Sequence, residues 1–157
     1  MTEIQKNNKE ILQLIEIWEP KLLSLPNDII TSRRNSQNRT IKQIVGHMVD
    51  SASNNTHRTV YLQYQKSPFY FPNYATHGNN DRWIAIQNYQ DEDWKSLVQL
   101  WKYANIHIVH VFNNVDASKL NNEWQDDDKR YNFRDCIIDY LRHFKLHLSE
   151  IEDLINK

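Results

Sequence analysis

Apolar residues recur along this chain at intervals of three and four, the spacing that lines one face of an α-helix rather than one face of a strand. Four such stretches stand out. The first runs from about Asn8 to Leu23, with Ile11, Leu12, Leu14, Ile15, Trp18 and Leu22 on its apolar face and Pro20 placed to kink its last turns. The second runs from about Ile41 to Tyr64 on the stripe Ile41, Ile44, Val45, Met48, Ala52 and Leu62. Thr40 and Gln43 stand at its start with the spacing of a capping box. The third begins near Asp91 or Asp93, where a carboxylate suits the helix dipole. It carries Trp94, Leu97, Leu100, Trp101, Ala104, Ile108, Val111 and Phe112 to about Asn114. The fourth spans Phe133 to about Asn156 and turns Phe133, Ile137, Tyr140, Leu141, Phe144, Leu148, Ile151 and Ile155 inward.

The connections differ in character. Asn27 to Asn38 is polar, rich in Ser, Asn and Arg. Gln65 to about Trp83 holds Phe69, Tyr70, Phe71, Tyr74 and Trp83. Structureless connections of that length are uncommon and often serve as lids or binding loops, while an aromatic cover over the bundle end fits the composition equally well. Val115 to Asn132 is acidic, and its Asp126-Asp127-Asp128 run lacks the glycine and closing glutamate of a calcium loop, so it reads as solvated. Glycine occurs only at Gly46 and Gly78, and Pro20, Pro26, Pro68 and Pro72 fall outside or at the margins of the periodic stretches. A β-sandwich of this size would need many more turn residues. The pattern predicts an all-α chain, a four-helix bundle, with residues 1–157 forming a single domain.

Charge and cysteine usage narrow the function classes. A formal net charge of −1 with dispersed Lys and Arg offers no field for phosphates, so nucleic acid is a poor partner. No apolar run is long enough to cross a bilayer, and the polar stretch Met1 to Glu10 lacks a signal peptide's apolar core. The one cysteine, Cys136, fits a reducing compartment and reads as a buried structural thiol. The expected location is cytoplasmic.

Seven histidines invite the question of a shared metal. His143 and His147 are four apart on the fourth helix, so their rings project from one side a turn apart, at the edge of the apolar arc. Such a pair alone is a weak motif. His47 lies on the flank of the Ile44–Met48 stripe and can also look into the bundle, and facing helices are how bundles assemble such sites. Zinc-like ions commonly take three protein ligands and leave a position open. His107 and His110 read as solvated, His57 points away from the second stripe, and His77 sits in the long connection. Cys136 precedes His143 by two helical turns, about 10 Å, too far to share its ion.

Two segments then show a resemblance. IVGHMVDSASNNTHRTVYLQ (Ile44 to Gln63) and YLRHFKLHLSEIEDLI (Tyr140 to Ile155) resemble the two signature helices of the DinB-like superfamily, the damage-inducible, YfiT-like group of metal-binding four-helix bundles. YQDEDWKSLVQLW (Tyr89 to Trp101) sits where that family's third helix begins, so the resemblance covers most of the chain in order. It implies that His47, His143 and His147 bind a divalent ion, often nickel or zinc. Relatives of this kind transfer low-molecular-weight thiols such as bacillithiol or mycothiol, and one branch isomerises maleylpyruvate. The resemblance implies a metal and leaves the reaction open.

A three-histidine ion with an open position brings a bound water or thiol toward ionisation at neutral pH. Beside His47, Asp50, Ser51, Asn54 and Arg58 follow about a turn apart. Asp50 or Asn54 would orient a ligand or nucleophile, and Arg58 would receive an anionic group. The plainer account is a polar helix flank with an Asp50–Asn54–Arg58 hydrogen-bond ladder. Two functions follow. One is a metal-dependent enzyme acting on a small-molecule substrate by thiol S-transfer or hydrolysis. The other is a non-catalytic metal- or ligand-binding bundle with a stress-related role. The aromatic content also fits a homodimer that buries one face.

Overall fold

Thr2 opens the first helix, six residues earlier than the periodicity suggests, because its hydroxyl accepts the Gln5 N–H at 3.2 Å while the Gln5 side chain accepts the Thr2 N–H at 2.9 Å. The computed structural model, which describes all residues from Met1 to Lys157, extends this helix, α1, over Glu3–Leu23, running through Pro20. Ile4, Ile11, Ile15, Trp18 and Leu22 are buried on its inner face, whereas Leu12, expected there, is exposed. A short helix, α2 (Asn27–Ser32), occupies part of the polar connection. Thr40 and Gln43 form the expected box at the start of α3 (Ile41–Leu62). Asp93 caps α5 (Trp94–Asn113) by accepting the Ser96 N–H at 2.9 Å, and Asn132 caps α6 (Phe133–Ile155) through the Asp135 N–H at 3.1 Å. Leu100, expected inward on α5, is exposed; it lies about 80° from the Leu97–Trp101–Ile108 line.

The four long helices close into a square. α5 packs against both α1 and α3, and so does α6, leaving α1 opposite α3 and α5 opposite α6. Large rings span the α5–α6 diagonal: Trp101 stacks on Phe144 at 6.0 Å between centroids, and Phe112 meets Tyr140 edge-on at 5.5 Å. Tyr140 also donates its hydroxyl to Asn105 Oδ1 at 2.7 Å, which satisfies two polar groups inside the core. No helix is long and apolar enough to cross a membrane.

The two long connections are not structureless. Phe69–Tyr70 (β1) pairs in parallel with Glu123–Gln125 (β2), and β2 pairs antiparallel with Arg130–Asn132 (β3), with Trp124 opposite both Phe69 and Tyr131. Between β1 and α5, Asn79–Gln87 forms a further helix, α4, entered and left through residues of positive φ, Gly78 and Asn88. The acidic loop is therefore a β-hairpin turn. The Asp126 carboxylate accepts the N–H groups of Asp128 and Lys129 at 2.8 Å, a local cap, while Asp127 and Asp128 are exposed to solvent as expected. The three-stranded sheet ties the connections together beside the helical face that bears the histidines.

Candidate metal centre and cleft

His47 on α3 and His143 and His147 on α6 meet inside the bundle. His47 and His147 are buried and His143 is half-buried. The Nε2 atom of His147 lies 3.0 Å from Nε2 of His47 and 3.0 Å from Nε2 of His143. All three ligand-capable atoms fall within 4.8 Å of one another. Helical phase explains the α6 pair, which stands beside the buried Phe144, Leu148 and Ile151, and the α3–α6 packing brings His47 to it.

The outward nitrogens decide what the inward ones present. Glu150, three residues past His147, places Oε2 3.0 Å from its Nδ1; a carboxylate only accepts, so His147 carries its proton on Nδ1. His47 Nδ1 lies 2.7 Å from the Tyr74 hydroxyl, whose own proton is directed to Asp50 Oδ2 at 3.4 Å. Tyr74 therefore accepts from His47. Both Nε2 atoms then turn bare lone pairs toward each other at 3.0 Å, a repulsive contact unless something electropositive joins them. Protonation of His47 does not relieve it near neutrality. Burial pushes the His47 pKa down to about 2, with His147 and His143 adding like-charge repulsion, and burial beside His147 holds His143 near 4. A metal ion does fit: two nitrogens each about 2.0–2.1 Å from one ion stand about 3 Å apart. Imidazoles whose far N–H groups are held by a carboxylate or hydroxyl are the usual donors of such centres.

Asp50 is the anchor of this arrangement. It is buried, and its Oδ1 accepts from the Tyr89 hydroxyl at 2.6 Å and from Gln87 Nε2 at 2.7 Å. Burial raises its pKa, while the bonds from Tyr89, Gln87 and Tyr74 pull the other way. Burial and the neighbouring Asp50 carboxylate push both tyrosine hydroxyls above their usual range. Tyr89 reaches Asp50 because it packs against Gly46: a Cβ built there would sit 2.2 Å from the Tyr89 ring. A mid-helix glycine, ordinarily a cost, here makes room for the ring.

Beside the imidazoles opens a cleft of about 380 Å³, lined on α3 by Ser51, Asn54, Asn55 and Arg58 and on α6 by Cys136, Asp139 and Tyr140. Asp50 does not line it. The expected common stripe is split because Asp50 lies about 60° round the helix from His47, on the side of Tyr89, whereas Asn54 and Arg58 lie within about 20° of it. The Asp50–Asn54–Arg58 ladder forms only at its first rung. Asn54 Nδ2 donates to the Asp50 backbone carbonyl at 2.9 Å, and Arg58 donates to Asn55 Oδ1 at 2.6 Å. Cys136 is half-buried rather than buried, lies in the cleft wall and accepts the Trp124 indole N–H at 3.1 Å.

The remaining histidines stay outside. His57, His107 and His110 are exposed, and His77 pairs with Asp128 at 3.0 Å on the surface. Tyr74, Tyr89, Gln87, Glu150 and Trp124 surround the site although the pattern reading assigns none of them to it. Glu150 was accessible through its i+3 spacing from His147; the other four lie on segments with no periodic signal toward α3.

No protein-family model and no curated protein matches this chain. Two solved structures do. YfiT from Bacillus subtilis, described as a probable metal-dependent hydrolase with an unusual four-helix bundle topology, superposes with a TM-score of 0.75 at 15% identity, over 94% of this chain and 85% of its own. The chain has the DinB/YfiT-like fold. A mycothiol-dependent maleylpyruvate isomerase matches with a TM-score of 0.73 at 11% identity, over 96% of this chain and 63% of the isomerase, so this chain spans just under two thirds of that protein's length. Such identities establish architecture alone, and the architecture agrees with both the hydrophobic periodicity and the resemblance of the two histidine-bearing helices.

Proposed function

We propose that His47, His143 and His147 hold a divalent metal ion, nickel or zinc, and that the protein is a metal-dependent enzyme acting on a small molecule by thiol S-transfer or hydrolysis. The observation that supports it is the pair of bare Nε2 lone pairs 3.0 Å apart, with their opposite nitrogens committed to Glu150 and Tyr74. Hydrolysis follows the description of YfiT, and a low-molecular-weight thiol follows the mycothiol dependence of the isomerase. Such an ion supplies Lewis acidity and favours the ionised form of a water or thiol at neutral pH. The protein's own groups supply orientation. Glu150 and Tyr74 fix the two tautomers, and Asp50 acts through Tyr74 as a positioning residue. Asn54, its amide N–H already given to the Asp50 carbonyl, keeps its side-chain oxygen to accept from a substrate in the cleft.

The test is elemental analysis of protein purified without a histidine tag, alongside turnover measured over a panel of thiols and hydrolysable esters and amides. The expected result is about one equivalent of nickel or zinc per chain, with metal and turnover both lost in His147→Ala. Full metal occupancy in that variant would defeat the ligand assignment. Metal without turnover on any panel member would instead support a non-catalytic metal-binding bundle.

A further inference from the structure

Arg58 is a cation of the cleft that lacks a carboxylate. Its fellow cleft arginine, Arg39, is paired with Asp81 at 2.8 Å, and the one aspartate of the α6 wall, Asp139, is taken by Arg142 at 2.6 and 2.9 Å. Arg58 donates through Nη2 to the neutral amide of Asn55, and its guanidinium lies 4.3 Å over the ring of Trp124. The ionisable groups whose charge acts on it are Cys136 and Tyr131, neither of them a carboxylate. Burial lowers its pKa, a sign of how far protein atoms have replaced water around the charge. A half-buried guanidinium held on an indole face without a counter-charge is an unfavourable arrangement for a protein to keep. Its other N–H groups meet no protein acceptor, while the indole face and Asn55 hold its plane.

Position along the cleft gives this cation a meaning. Arg58 follows His47 by eleven residues and points to nearly the same side of α3, so the two lie about 16 Å apart along the helix axis. Trp124, beneath the guanidinium, bonds Cys136, which stands two turns, about 10 Å, before His143 on α6. One cleft wall therefore joins the imidazoles to the guanidinium.

We infer that Arg58 seats an anionic head group, a carboxylate or a phosphate, of an elongated small molecule whose reacting end lies at the three imidazoles about 10–16 Å away. This rests on the metal-centre reading for the reacting end only; the anion seat stands on Arg58 and Trp124 alone. The substrate class is thus a molecule with a thiol or a hydrolysable group at one end and a negative charge at the other. A compact neutral substrate would leave the guanidinium uncompensated.

Two measurements test this. In metal-free protein, the indole N–H resonance of Trp124, assigned through Trp124→Phe, is followed while acetate or inorganic phosphate is added. A saturable shift is expected in the wild type and not in Arg58→Gln, with partial retention in Arg58→Lys, which keeps the charge but loses the fork; the more effective anion identifies the head group. In cobalt-loaded protein, mercaptoacetate, mercaptooctanoate and mercaptoundecanoate are compared with mercapto-alcohols of equal length through the cobalt absorption bands. The two longer acids are expected to bind at least tenfold tighter than their alcohols, an advantage that Arg58→Gln removes and that mercaptoacetate never shows. No Trp124 shift with either anion, an equal shift in a folded Arg58→Gln, or a long-acid preference that survives this substitution overturns the proposal. If cobalt fails to bind while the Trp124 shift remains Arg58-dependent, the anion seat is supported and the metal centre is what falls.

Discussion

The hydroxyl of Tyr74 lies 2.7 Å from Nδ1 of His47, so a residue from the β1–α4 connection completes the surroundings of an imidazole on α3. The connection that links the second and third long helices is thereby part of the proposed metal centre, and its aromatic content has a chemical reason as well as a packing one. Tyr74→Phe keeps the ring and removes the acceptor. Metal affinity is expected to fall about 10–100-fold, the usual effect of losing such an outer partner, with little change in thermal stability. Competition with a chromogenic chelator measures the first quantity and a melting curve the second; unchanged affinity would mean that Tyr74 does not orient His47.

Glu150 offers the parallel case on α6. Glu150→Gln retains an acceptor oxygen but loses the charge that favours the His147 Nδ1–H. Its effect on metal affinity is expected to be smaller than that of Glu150→Ala, which leaves the N–H unpartnered. Equal losses in the two variants would show that the negative charge, rather than the hydrogen bond, is what matters.

Gly46→Ala inverts the ordinary rule for helices. In an exposed helix interior this change stabilises by roughly 1 kcal/mol, but here the new methyl meets the Tyr89 ring at 2.2 Å. A destabilisation of about 1–3 kcal/mol is expected from overpacking, accompanied by weaker metal binding, since displaced Tyr89 releases Asp50 and with it Tyr74. The stability loss should shrink in a Tyr89→Ala background. Additive losses in the double variant would place the strain elsewhere.

Metal-stripped protein is expected to lose stability on acidification. His47 and His143 titrate near 2 and 4 in the folded chain and near 6.5 in the unfolded one. Between pH 6.5 and 4 the unfolded state therefore binds more protons, so folding stability decreases as pH falls, by about 1.4 kcal/mol per unit for each histidine. Urea melts across this range measure the slope. His143→Gln should reduce it, and an unchanged slope in that variant would mean that His143 is not held neutral.

Much of the centre was legible because helices write their geometry locally. The i, i+4 spacing of His143 and His147 puts both rings on one face without reference to any other segment, and Thr40 with Gln43 announces the start of α3 in four residues. Asp50 was legible as a neighbour of His47 on α3, but its partners were not. Its phase differs from that of Asn54 by about 40°, and whether that turns it into the cleft or toward Tyr89 depends on what packs beside α3. The small sheet escaped notice because two- and three-residue strands are too short for alternation to show.

What the amino-acid order determined by itself is the set of four amphipathic helices, the capping box at the start of α3 and the histidine faces of α3 and α6, since all of these are relations among residues within a turn or two. What only tertiary structure decided are the meetings: His47 with His147 across 100 positions, Tyr74 with His47 across 27, and Trp124 beneath Arg58. These depend on the relative placement of whole segments, which helix packing and strand pairing set jointly and no local pattern encodes. The three-histidine cluster therefore belongs half to each level: its members are written in the helices, and their convergence is a property of the packed bundle.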